Sequence, residues 1–122
     1  MVEEAFAVLG RHSSGELELA APDLFWAELG YLLWKAVRIG RWSAASAAAA
    51  LGLMREQRLE TVPSRDLLED ALAIAIETGR TVYDSLYVAL AVRERAEVVT
   101  ADERLANALA ARWPVKWLGT FW

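Results

Sequence analysis

Three acidic residues occupy positions where a solvated surface carboxylate is not expected. Glu28 has apolar or aromatic residues three and four positions away on both sides, so it lies on the core-facing stripe of a predicted helix. Asp84 begins a helix that continues with an apolar run over residues 86–92, and Asp102 follows a short β-type run. If the three carboxylates meet at one sheet edge, their repulsion calls for a divalent cation, a combination typical of metal-dependent phosphodiester cleavage.

Each of these acids also has a purely structural interpretation. The Glu28 carboxylate could reach water at the edge of a groove or pair with an arginine. The spacing Thr81-x-x-Asp84 fits a capping box, in which the aspartate closes back onto the threonine amide. The threonine two residues before Asp102 opens a second capping box, which would make Asp102 a first-turn residue favoured by the helix dipole. The residues leave these alternatives open.

The composition narrows the chemistry that this chain can perform. Its 122 residues suit one domain, and they include no cysteine and one histidine. The absence of cysteine excludes a disulfide scaffold, a zinc-thiolate site, an iron–sulfur cluster and a cysteine nucleophile, and it fits a reducing cytosol. A metal would therefore need oxygen ligands, which favours a hard ion such as Mg²⁺ or Mn²⁺.

The charge balance argues against a protein that coats nucleic acid by global attraction. Thirteen lysines and arginines stand against seventeen acids, which gives a net charge of −4. A local basic patch is still compatible with this balance, because Lys35, Arg38 and Arg41 fall near the end of the Glu28 helix, where they could contact phosphates. The alternative is that the dipole favours cations at a helix C-terminus.

No membrane segment or signal peptide is predicted. The chain opens without a basic segment followed by an apolar core. Its longest apolar stretch, residues 44–54, falls short of the roughly 18 to 20 residues that cross a bilayer.

The elements that must position the three acids alternate between helices and strands. Strands are predicted at 17–20, 59–62, 98–100 and 115–118, and helices at 2–12, 23–39, 43–56, 64–78, 81–95 and 102–112. The predicted helix caps and helix-ending glycines are Asp23, Ser43, Ser64, Thr81, Thr100, Gly40 and Gly79. Because strands separated by whole helices cannot form hairpins, the sheet should be parallel with helices on its faces, in an α/β domain. We expect Trp26 and Trp34 in the core or at a dimer interface.

Three segments together resemble a known family. The sequence Thr-Val-Tyr-Asp-Ser-Leu-Tyr-Val-Ala-Leu-Ala at 81–91, followed by Val-Val-Thr-Ala-Asp-Glu-Arg-Leu at 98–105, closely resembles the two C-terminal motifs of PIN-domain ribonucleases of the VapC toxin type. Ala-Pro-Asp-Leu-Phe-Trp-Ala-Glu-Leu at 21–29 resembles the family's helical glutamate motif. The three segments follow each other in the family's order and spacing.

The resemblance implies a fold, an activity and partners. The fold would be a three-layer α/β/α sandwich with a central parallel sheet. The activity would be that of an endoribonuclease that uses Mg²⁺ or Mn²⁺ to cut single-stranded RNA, with Glu28, Asp84 and Asp102 as both metal ligands and catalytic residues. Toxins of this type are cytoplasmic homodimers that a cognate antitoxin holds inactive.

The chain departs from the family pattern in two places. The family begins with a strand ending in an aspartate and then a first helix, and this sequence has no counterpart of that unit; many relatives also carry asparagine where Tyr31 stands. We therefore expect one PIN-like domain over residues 1–122 without its first strand–helix unit. A fragment or late-start version of a longer protein is favoured over a degenerate member completed by strand exchange or oligomerisation.

Two rival interpretations stay open. One is a catalytically inactive PIN-fold module that binds a protein partner or RNA. The other is an unrelated α/β domain whose three acids are merely caps and surface charges.

Overall fold

Helices and short strands alternate in the computed structural model, which describes residue 15 and residues 17–120. The elements are β1 (Ala20–Pro22), α1 (Leu24–Arg38), α2 (Ala44–Glu56), β2 (Glu60–Val62), α3 (Ser64–Thr78), α4 (Val82–Glu94), β3 (Val98–Thr100), α5 (Glu103–Leu109), β4 (Val115–Trp117) and a final 3₁₀ turn (Leu118–Thr120). The predicted helix at 2–12 lies outside the described residues. The other predicted helices and all four predicted strands are present, with ends shifted by up to three residues.

The strands pair in parallel, as predicted, but they form two separate sheets. β1 pairs with β2 from Ala20↔Glu60 to Pro22↔Val62, and β3 pairs with β4 in the same sense. Within residues 17–120 no ladder joins the two pairs, so the single central sheet is not observed there. The reason is that no described strand lies between β1 and β3, although α4 contacts both of them.

The core lies between α3 and α4. Leu67, Ala71 and Ile74 recur at helical spacing on α3 and are buried against α4. Most of the apolar run at 86–92 is buried, which confirms the prediction of a central helix, and its last residue, Val92, is exposed. α5 and β4 close the other side of this core with Leu105, Leu109 and Val115, among others.

Local chemistry sets several helix ends as predicted. The hydroxyl of Ser43 accepts a hydrogen bond from the amide three residues later at 3.0 Å, and the hydroxyl of Thr81 accepts one from the amide of Asp84 at 3.1 Å. Gly40 and Gly79 follow helix ends with φ angles of 79° and 74°. Only glycine adopts this left-handed conformation without cost, so both glycines act as helix stops.

Asp23 is the residue before α1, as predicted, but its carboxylate caps a different helix. No side-chain hydrogen bond from Asp23 reaches α1. Instead its Oδ1 accepts from the amide of Ser64 at 3.0 Å and from the Ser64 hydroxyl at 2.6 Å. The Asp23 amide donates to the carbonyl of Val62 at 2.8 Å, which extends the β1–β2 pairing and brings Asp23 beside the start of α3. The predicted cap at Ser64 is wrong by one residue, because Ser64 is the first residue of α3 and Pro63, which has no side chain that could accept a hydrogen bond, stands in the cap position.

Helices α1 and α2 are largely exposed to solvent. Neither helix contains a buried residue, although the two helices contact each other. The Trp34 side chain is 54% exposed, so the structure contradicts a place in the core for it, and the alternative of a dimer interface stays a prediction. Trp26 is half-buried. The large apolar side chains that lie exposed on α1, its connection to α2, and α2 are Tyr31, Leu32, Trp34, Ile39, Trp42 and Leu53.

Among the described helices, none is both long enough and apolar enough to cross a lipid bilayer.

Candidate active site

A hydrogen bond between two distant helices forms the centre of the candidate site. The hydroxyl of Tyr87 on α4 donates to Oε1 of Glu28 on α1, and both side chains are half-buried. Glu28 therefore does find a partner on the core-facing side of its helix, as a buried carboxylate must. The partner is a neutral hydroxyl rather than the arginine considered above.

Asp84 lies one helical turn before Tyr87 on the same face of α4. Burial raises the pKa of the Tyr87 hydroxyl most, and the hydrogen bond to Glu28, the charge of Glu28 and the charge of Asp84 raise it further. Both carboxylates therefore act electrostatically on the same phenol. The structure brings Glu28 and Asp84 together around Tyr87.

The capping-box interpretation of Asp84 holds for one of its two hydrogen bonds. The Asp84 amide donates to the Thr81 hydroxyl, as a capping box requires. Within residues 17–120, no donor forms the reciprocal hydrogen bond to the Asp84 carboxylate. Capping thus accounts for Thr81, and it leaves the half-buried carboxylate of Asp84 available to another ligand.

Asp102 lies after the carboxyl end of β3, and it caps α5 itself. Its Oδ1 accepts from the amides of Arg104 at 3.0 Å and Leu105 at 3.2 Å. The hydroxyl of Thr100 accepts instead from the Asp102 amide, so the predicted cap at Thr100 is wrong by two residues. The reason is that β3 continues through Thr100, which puts the first free helical amides within reach of Asp102.

The three predicted ligands are carboxylates, which suit a hard divalent cation, and the structure links two of them through Tyr87. Carboxylate oxygens are the ligands that Mg²⁺ and Mn²⁺ prefer. Across the described part of the chain, however, no three acidic or histidine side chains lie close enough to share a metal ion. Glu28 and Asp84 are linked through Tyr87, which hydrogen-bonds the first and feels the charge of both, whereas the Asp102 carboxylate caps α5. The catalytic and metal-binding roles of all three remain predictions.

The predicted RNA-contacting cations lie on the exposed surface of α1 and the loop after it. Lys35, Arg38 and Arg41 are all exposed, and none of them forms an ion pair with a carboxylate of residues 17–120. The Arg38 guanidinium lies 5.5 Å from the centre of the Trp34 ring. Their role in binding RNA also remains a prediction.

Tyr87 is the residue of this site that the sequence analysis missed. It stands inside an apolar run, where a tyrosine is easily taken for a core residue. Its position three residues after Asp84 places the two on one helix face, and that spacing was the available signal. Its polar end needs a hydrogen-bond partner once half-buried.

Comparisons with known proteins agree with the α/β class of this fold. The family model described as PIN domain matches residues 3–109. The chain is 34% identical over 111 residues to ribonuclease VapC3 of Pyrobaculum aerophilum, an alignment that covers 89% of this chain and 85% of that protein. It is 37% identical over 90 residues to exonuclease VapC9 of the same organism, covering 72% of this chain and 65% of the relative.

The chain therefore belongs to the PIN-domain family, and its resemblance to the VapC type is confirmed. Its α/β class is confirmed as well. The interpretation as an unrelated α/β domain is wrong.

Proposed function

We propose that this protein is a metal-dependent endoribonuclease that cleaves single-stranded RNA and acts as the toxin of a toxin–antitoxin pair. The observation that carries the proposal is the pair of carboxylates, Glu28 and Asp84, around Tyr87 in a member of the PIN-domain family. Two similar proteins bear the names ribonuclease and exonuclease, which supports nuclease chemistry here.

In this proposal Glu28, Asp84 and Asp102 hold Mg²⁺ or Mn²⁺. The bound ion would supply charge stabilisation at the scissile phosphate and a lowered pKa for an attacking water. Tyr87 acts as a positioning residue, because its hydrogen bond fixes one oxygen of Glu28, while no donor among residues 17–120 bonds the other. Asp84 contributes a carboxylate that no described donor occupies.

The proposal also includes a three-layer α/β/α sandwich to which residues 1–122 contribute one PIN-like domain. A strand of the kind with which the family pattern begins, placed between β1 and β3, would join the two strand pairs into one central sheet. Two observations support this arrangement: α4 contacts both β1 and β3, and each of these strands has one edge unpaired within the described residues. Joining the pairs would also bring the end of β3, and Asp102 with it, toward Glu28 and Asp84.

The proposed partners are a second copy of the chain, a cognate antitoxin and RNA, in the cytoplasm. The exposed apolar side chains Leu32, Ile39, Trp42 and Leu53 support a protein partner, since monomers rarely expose contiguous apolar patches beyond a few hundred Å². No membrane partner is proposed.

An end-labelled single-stranded RNA tests the activity directly. The full chain should degrade it in Mg²⁺ or Mn²⁺ and should leave it intact in EDTA. Internal fragments at early times support an endonuclease. Stepwise release of mononucleotides from one end would instead show exonuclease activity, the activity in the name of the relative VapC9. Cleavage that persists at full rate in EDTA would refute metal dependence.

A second candidate function is that of an inactive PIN-fold module that binds a partner. The observation in its favour is that residues 17–120 do not gather three metal ligands. Complete absence of cleavage with either metal, by a chain whose circular dichroism shows it folded, would select this second candidate.

A further inference from the structure

One exposed side of α1 carries aromatic rings and cations in alternation. Tyr31, Trp34, Lys35 and Arg38 are separated by three, one and three residues, so at 3.6 residues per turn they lie within about 100° of each other around the helix. Leu32 and Ile39, also exposed, lie on the other side of the line through Glu28. We name the four residues Tyr31, Trp34, Lys35 and Arg38 the α1 track.

The side chains of the α1 track contact one another. The ring centres of Tyr31 and Trp34 are 5.7 Å apart with the planes inclined by 38°, and the Arg38 guanidinium lies 5.5 Å from the Trp34 ring centre. Tyr31 is 57% exposed and Trp34 is 54% exposed. Two large rings thus stand in water beside a stacked guanidinium, an arrangement that burial in this fold does not explain.

The charge around the α1 track is opposite to that of the chain. Residues 24–59 carry five lysines and arginines and two glutamates, whereas the whole chain has a net charge of −4. Lys35 and Arg38 form no ion pair with a carboxylate of the described residues. The surface is therefore complementary to a polyanion.

The α1 track is also continuous with the candidate active site. Glu28 lies on the same helix, about 5 Å along the axis from Tyr31 and about 15 Å from Arg38 at 1.5 Å per residue. A ligand that lies along the track therefore has one end at the Glu28–Tyr87 contact.

The α1 track combines aromatic rings that can stack on bases with cations that can bind phosphates, and it is continuous with the carboxylates of the candidate site. These three properties together suit single-stranded nucleic acid. Proteins that hold single-stranded nucleic acid combine aromatic platforms with a basic path along the backbone. We propose that the α1 track binds single-stranded RNA, with bases stacked on Tyr31 and Trp34 and phosphates on Lys35 and Arg38. It is the path by which the substrate reaches Glu28, and in this respect the inference rests on the proposed function.

Binding is tested without cleavage. Anisotropy of a short fluorescein-labelled single-stranded RNA is measured with the full chain in EDTA, for the wild type, Trp34→Ala, Trp34→Phe, Arg38→Ala and the control Ile76→Ala. Ile76 is 76% exposed on α3, away from the track. Trp34→Ala should weaken binding about tenfold or more, Trp34→Phe should keep most of it, and Ile76→Ala should stay within about twofold of the wild type. Arg38→Ala should reduce the slope of log K against log salt by about 0.7.

Several outcomes overturn the α1 track. One is wild-type RNA affinity in both Trp34→Ala and Arg38→Ala, and another is no RNA binding by the wild type. A third is unchanged RNA affinity together with loss of a dimer in light scattering, which would make this face a protein interface. The binding assay requires no catalysis, so the two proposals can fail separately. If the chain binds RNA through the α1 track but has no nuclease activity, the proposed function is refuted and the α1 track is supported. If the chain is an active nuclease and Trp34→Ala binds RNA like the wild type, the α1 track is refuted and the proposed function is supported.

Discussion

The hydroxyl of Tyr87 donates a hydrogen bond to Oε1 of Glu28 and so joins α4 to α1. Asp84, one turn earlier on α4, adds its negative charge to the surroundings of the same phenol. The contact connects the helix of Glu28 with the helix of Asp84, and it gives a glutamate on a core-facing stripe a polar partner. Tyr87 is therefore the residue through which folding and the candidate site are coupled.

Replacing Tyr87 by phenylalanine tests this contact. Tyr87→Phe leaves a half-buried carboxylate without its donor, which should reduce the free energy of unfolding by about 1 to 3 kcal/mol. Urea unfolding monitored by circular dichroism measures the loss. Tyr83→Phe is the matched control, because Tyr83 is 62% exposed on the same helix, and it should be close to neutral. Equal stability of the two variants would contradict the structural role of the contact.

The pH dependence of stability provides an independent test of the surroundings of Tyr87. Because burial and the neighbouring carboxylates raise the pKa of Tyr87, the folded state keeps its phenolic proton at pH values where the unfolded chain has lost it. Unfolded tyrosine titrates near pH ~10, so this contribution is complete below about pH 10 and falls as pH rises further. Between about pH 9 and about pH 11 the wild type should lose more stability than Tyr87→Phe. Equal losses of stability in the wild type and in Tyr87→Phe would show that the Tyr87 hydroxyl has the same pKa in the folded and unfolded states.

Asp102 has a structural and a proposed catalytic role, and two substitutions separate them. Asparagine is as good a helix cap as aspartate, so Asp102→Asn should keep the stability of the wild type while losing most RNA cleavage with its charge. Asp102→Ala should lose the cap as well, at a cost of about 1 kcal/mol. Thermal unfolding and RNA cleavage of both variants give the comparison. If Asp102→Asn cleaves like the wild type, the residue is a cap and nothing more.

The cap that Asp23 provides for α3 should respond to acid. Hydrogen bonds from the Ser64 hydroxyl and backbone lower the pKa of Asp23, so its stabilising effect is fully present above the unfolded value near ~3.9 and is lost as pH falls through the folded value. Asp23→Ala should therefore melt below the wild type at neutral pH, and the two melting temperatures should converge in acid. A difference that persists unchanged at low pH would point to some other contact of Asp23.

Features set by residues close in sequence could be predicted. The caps at Ser43 and Thr81 and the stops at Gly40 and Gly79 depend on groups within a few residues, and they are found as expected. The buried course of α4 also follows from its continuous apolar run.

Features set by distant residues could not be predicted from one sequence. The partner of Asp23 is 41 residues away and depends on the register of β1 against β2. Tyr87 and Glu28 are 59 residues apart and meet in a fold in which α1 and α4 both contact β1. The exposure of Trp34 depends on which elements pack on α1, and the presence of an aromatic residue in the sequence does not predict this packing. For the site, the sequence could identify the acids but not which of them are neighbours.

The central claim, that the carboxylates around Tyr87 perform metal-dependent RNA cleavage, is tested most directly by a matched pair of substitutions. The rate at which the full chain cleaves labelled single-stranded RNA in Mn²⁺ is measured for the wild type, Asp84→Asn and Asp70→Asn, where Asp70 is an exposed acid on α3. We predict that Asp84→Asn lowers the rate about a hundredfold or more, because the lost ligand charge supports several kcal/mol of transition-state stabilisation, and that Asp70→Asn cleaves like the wild type. Cleavage by Asp84→Asn at the wild-type rate would contradict the account.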